Sequence, residues 1–192
     1  MSDGAAFQST WKARVLQGAP MIAPVRQFTY PHAVAGEEDA MARGALFVDV
    51  QPRTGGSFLA MCALGFAGNG MVRGVWAAPE PDEMCAVAGG YAYLIDTAAP
   101  ERSQMLPLKP VVEVRPLPEL GLLLFVGFHH LYVRGRGDVA WQSERLSWEG
   151  VTVTRVEGAV VHGLGWDMKA DVEVPFSVDL ATRVCEGGGF RG

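Results

Sequence analysis

Cysteine is scarce in this chain of 192 residues: there are three, Cys62, Cys85 and Cys185, widely spaced in apolar or glycine-rich surroundings. That is neither a disulfide framework nor paired zinc ligands, and it predicts reduced thiols in a cytoplasmic protein. Charge is sparse too, at 19%, and acidic residues outnumber basic ones by 21 to 16. Without a basic excess or a polybasic run there is no field to release counterions from nucleic acid or to hold an anionic membrane surface, so neither is an expected partner. Long hydrophobic runs are missing as well. The longest, residues 120–128, is broken by Gly121 and Gly127 and is too short for the roughly 20 residues of a membrane-spanning helix. Residues 1–17 lack the charged-then-apolar layout of a secretory signal.

Motifs of known chemistry are equally absent. No glycine-rich piece carries Gly-Lys-Ser/Thr, Ser57 lacks a nucleophile elbow, and there is neither His-Glu-x-x-His nor His-x-His with a downstream Glu. No cofactor and no metal are implied.

What is present is apolar surface, 49% of the residues, enough for one domain with a core and no need of cross-links. Residues 1–43 read as an Ala-rich arm packed on the body. Pro20, Pro24 and Pro31 divide it into extended pieces, because proline fixes φ and donates no backbone hydrogen bond. Short helices are expected near 5–16 and 37–43. Residues 44–192 read as a single β domain of short strands bounded by Gly, Pro, Asp or Glu, with no sustained helical period. Its clearest hairpin joins 46–50 to 57–66 through Gly55 and Gly56, which tolerate the positive φ of a tight turn.

A repeat runs through this region. Residues 111–121, with the apolar strand that follows, align with 151–158 and 159–163 at an offset of about 40 residues, and a weaker copy starts near Gly74 and continues through 85–96. Each unit holds a strand, a turn, a second apolar strand with Gly, a third strand ending in a polar residue and a divergent fourth segment. This resembles a four-stranded β-propeller blade, over residues 72–188. The resemblance implies a mainly β fold, an antiparallel meander of about three four-stranded units. Three arrangements stay open: an incomplete further blade from the N-terminal hairpin, a second copy completing a ring, or a plain meander in a sandwich or open barrel.

The residues that might carry chemistry are few. His129 and His130 fall at a strand end, and on a strand adjacent side chains face opposite ways. His162 holds a similar place one repeat later, so His130 and His162 with Asp167, aided by Arg134 or Arg136, are the weak catalytic candidates. Residues 163–173 gather Asp167, Asp171 and Glu173 around Trp166. Asp167 and Glu173 are there the conceivable acid–base pair, while carboxylates in turns ordinarily cap backbone N–H groups. Trp166, with His129 and Arg134, is the candidate surface for a ligand. The expectation is a non-enzymatic β-rich binding or interaction protein, taking a protein or small molecule and forming a homodimer through sheet edges. The alternative is a hydrolase using His130 or His162 with Asp167.

Overall fold

Two kinds of strand run through the chain, and they dictate how it packs. In β6 (Glu83–Ala88) and β10 (Leu122–Gly127) every residue after the first is buried, the mark of a strand covered on both faces. In β3 (Ala45–Pro52) and β14 (Val160–Asp167) buried and half-buried residues alternate, the mark of a strand covered on one.

The computed structural model describes residues 6–22, 24–31, 41–66 and 71–190, and its strands form four four-stranded sheets. Sheet I holds β1 (Trp11–Leu16), β2 (Gln27–Tyr30), β3 and β4 (Phe58–Ala63), in the order β1-β3-β4-β2, with β2 parallel to β4. Sheet II is β5 (Arg73–Ala77), β6, β7 (Tyr91–Asp96) and β8 (Ser103–Met105). Sheet III is β9 (Val111–Leu117), β10, β11 (Leu131–Arg134) and β12 (Ala140–Gln142). Sheet IV is β13 (Val151–Glu157), β14, β15 (Val172–Asp179) and β16 (Cys185–Gly187). Sheets II, III and IV are antiparallel meanders in sequence order, each with two free edges, so none closes into a barrel.

The mainly β meander with three similar four-stranded units is therefore the observed fold, and sheet I adds a fourth sheet of different strand order. Residues 11–16, expected to be helical, instead form β1. Its partner β3 lies more than thirty residues away, and the pairing of Ala13 with Val50 and Val15 with Val48 outweighs the modest helix preference of Lys, Ala and Arg. Residues 1–43, expected as an arm, supply two of the four strands of sheet I. The helix expected at 37–43 lies largely outside the described residues. Among the described residues no helix is long and apolar enough to cross a membrane.

The sheets pack in chain order. One apolar cluster joins sheets I and II through Val48, Phe58, Ala86 and Ile95. A second joins II and III through Val87, Leu94, Leu123 and Phe125, and a third joins III and IV through Leu124, Val133, Val161 and Phe176. Thus β6 gives Met84 and Ala86 to one neighbour and Cys85 and Val87 to the other, while β10 splits Leu123 and Phe125 from Leu124 and Val126. Among the described residues no such cluster joins sheet IV to sheet I.

Polar groups tie the same junctions. The Tyr93 hydroxyl donates to Ala63 O at 2.9 Å across sheets I and II, as the Tyr30 hydroxyl does to Pro100 O at 2.8 Å. Burial raises the ionisation of both phenols far above its ordinary range, so both remain donors. Arg115 reaches from β9 to Val153 O of β13 at 3.0 Å.

Candidate interaction surface

His129 and His130 do not lie on a strand. β10 ends at Gly127 and β11 begins at Leu131, so both sit in the turn between them, their rings 6.2 Å apart. Each Nδ1 meets a backbone carbonyl, His129 that of Ser147 at 3.3 Å and His130 that of Ser143 at 3.1 Å. His129 Nδ1 also lies 3.4 Å from Arg145 Nη2. A guanidinium only donates, so that contact needs an accepting Nδ1 and the carbonyl contact a donating one; a single tautomer makes one of them.

Arg145 organises this corner. Its guanidinium carbon sits 4.4 Å from the Phe190 ring centre and 5.2 Å from that of Trp148, a cation against two rings that also touch each other, their centres 4.7 Å apart. Nε donates to Ser147 O and Nη2 to Trp148 O, both at 3.1 Å. The buried Ser147 hydroxyl donates to Gly150 O and accepts the Trp166 N–H, each at 2.8 Å. These bonds fasten the segment between sheets III and IV. His129 thus belongs to a structural clamp that no motif announced, because its members lie in a loop, a turn and the C-terminal segment.

The other candidates have separate surroundings. His162 Nε2 is 3.5 Å from Glu157 Oε2 across the β13–β14 hairpin. Asp167 Oδ1 accepts the Lys169 and Ala170 N–H groups at 2.9 and 3.2 Å, an aspartate-stabilised turn. Five residues of extended β14 separate His162 from Asp167, roughly 16 Å, and the odd spacing turns them to opposite faces. Glu173 pairs with Trp166, and Val172 with Asp167, so Asp167 and Glu173 also face opposite ways. None of the hydrogen bonds described joins any two of His130, His162 and Asp167. Among the described residues no three His, Cys, Asp or Glu side chains gather to hold a metal ion.

Arg134 reaches between sheets III and II. Its Nη2 donates to Glu83 Oε1 at 3.2 Å, with 15% and 17% of the two side chains exposed, and Nη1 donates to Gly137 O. Glu83 Oε2 and Arg134 Nε are buried without a hydrogen-bond partner. Arg136 likewise joins sheets, its Nε donating to Pro79 O at 3.1 Å. Burial raises the pKa of the adjacent Tyr132, with the Arg134 charge opposing.

Trp166 stands elsewhere. Sheet IV meets sheet III with Val161, Phe176 and Val178, so by strand parity Val160, His162, Leu164 and Trp166 share the outer face. Their inward neighbours Gly163 and Gly165 have no room for a side chain: an added Cβ would lie 2.3 Å from the Phe176 ring or 2.1 Å from Leu146 O. The middle strand of this sheet therefore carries its bulk outward. Across the register, Leu164 is flanked by Thr152 and Pro175 and His162 by Ser177. Trp166 Nε1 donates to Asp171 Oδ1 at 3.2 Å, with Asp171 at φ +53° in the hairpin turn. A shallow cavity of about 350 Å³ opens here, lined by His162, Pro175, Ser177 and Glu186 among others. Leu164, Pro175 and Glu186 went unnoticed in the sequence; for Leu164 and Pro175 the alternation along β14 and β15 was the available signal, whereas Glu186 lies on the short strand β16.

No protein-family model matches this sequence, and no curated protein aligns with it significantly.

Proposed function

We propose that this protein is a non-enzymatic binding module, that its four sheets follow one another as blades do in a propeller, and that its contact surface is the outer face of sheet IV. The observation that carries this reading is the pattern of β14, whose Leu164 and Trp166 face away from the core while glycines face it. Large apolar side chains on a face with no covering sheet mark an interaction site. The scattering of His130, His162 and Asp167 supports binding over hydrolysis, since proton transfer needs groups within hydrogen-bond reach. Three unpaired thiols, two of them buried, support a reducing, cytoplasmic setting.

A photoreactive amino acid placed at Leu164 tests the reading in cells, with the same group at exposed Val139, on the β11–β12 turn, as control. The expected result is a discrete cross-linked adduct from position 164 that is missing from 139. Equal labelling from both positions, or none from 164, rejects the surface.

A further inference from the structure

We propose that the occupant of this face is a second copy of the same chain, docked through its sheet I, so that two such junctions close a ring of twice the four sheets; the inference rests on the binding reading above. The first argument is positional. Val87, Val126 and Trp166 are the penultimate residues of β6, β10 and β14, and Cys85, Leu124 and Leu164 stand two residues before them. In sheets II and III these are the residues that pack on the following sheet. Sheet IV therefore presents the side chains by which each earlier sheet receives its successor, and the described chain holds no successor.

The second argument is charge. On sheet I the outward residues of β1 include exposed Lys12 and Arg14, the latter 76% exposed beside Asp49 at 3.4 Å. Two shallow cavities, of about 390 and 350 Å³, run along this side of β1 and β3, with Lys12, Arg14 and Arg53 in their walls. The outer face of sheet IV instead carries exposed Glu173 and Glu186, while its Arg155 is taken up by Glu157 at 2.8 Å. Two copies of sheet IV would oppose carboxylates, whereas sheet IV against sheet I pairs carboxylates with cations. The buried state of Leu59 and Ala63 confines the contact to the β1–β3 side. Because the two surfaces differ, the junction is head-to-tail, and it stops growing only if the rotation closes. The contact uses sheet faces rather than the sheet edges that the sequence suggested.

Sedimentation velocity of the full chain over a wide concentration range tests this. The expected result is a monomer–dimer equilibrium that ends at the dimer. E173K/E186K and K12E/R14E should each weaken association at least tenfold, with melting unchanged at dilutions where all are monomeric, and mixing the two variants should restore association, since both junctions then pair opposite charges. A monomer at every concentration, assembly that continues past the dimer, or K12E/R14E that dimerises normally would each overturn the proposal. If the chain is monomeric yet position 164 still traps another protein, the binding reading survives without it; if position 164 traps nothing, both fall.

Discussion

Sheets II and III differ from sheet IV in where they place their large side chains, and the difference separates strands covered on both faces from a strand covered on one. β6 is apolar from Met84 to Ala88 and β10 from Leu122 to Val126, and both bury both faces. β14 has the same length or more, yet its inward positions shrink to Val161, Gly163 and Gly165 while Leu164 and Trp166 point out. A strand in the middle of a stack has no surface to offer. One at its end has a face whose chemistry is free to be set by something other than folding.

The sharpest break in this comparison comes from truncating equivalent bulk on either side of it. Phe125→Ala, at a fully buried ring of β10, should cost about 3–5 kcal/mol in urea unfolding, from lost burial and the cavity left behind. Leu164→Ala, on the outer face, should cost less than about 1 kcal/mol at equal, dilute protein concentration. Similar losses for the two would mean that the outer face is packed in the isolated chain.

The polar link between sheets II and III should give the next effect. Arg134→Met strands Glu83 in a largely buried site and should destabilise by about 3 kcal/mol, of which much returns in the double variant with Glu83→Gln, because an unpaired buried charge costs more than the ion pair contributes. Additive effects in that double-mutant cycle would show that the pair does not hold the sheets together.

The thiols offer the mildest probe. Burial holds Cys62 and Cys85 well above the ordinary thiol range, and raises Cys185, at the edge of sheet IV, as well. A thiol whose folded pKa is raised favours folding at neutral pH, a contribution that fades only as alkaline pH passes the unfolded value. Chromogenic thiol titration at neutral pH should therefore find Cys185 reacting first and the other two only at the rate of unfolding. Fast reaction of Cys85 would mean that the contact between sheets II and III opens readily.

Much of this fold can be read along the chain. The hairpin anticipated between 46–50 and 57–66 is the antiparallel pair β3 and β4, and the unit of about 40 residues corresponds to sheets II, III and IV. The misreadings fall where the deciding partner is distant in sequence. Lys12, Ala13 and Arg14 are residue types that favour helix but lie in β1 because Asp49, Val50 and Gln51 are there to pair with them. His129 and His130 looked like a strand's end and are a turn held by carbonyls of the segment after β12. Trp166 stood out along the chain for its neighbouring carboxylates; it lies on β14, on the face that it shares with Leu164.

By itself, then, the sequence determined everything coded within one repeat: strands, hairpins, the antiparallel meander, and which residues of each strand share a face, since side-chain alternation and turn chemistry act over a few residues. Only the tertiary structure decided that β1 to β4 build a sheet with a parallel strand, that the sheets stack in chain order, and that among the described residues no sheet lies on the outer face of sheet IV. Alternation along β14 says that two faces exist. Which of them is the core depends on what packs there, and that is a property of contacts between units far apart in the chain.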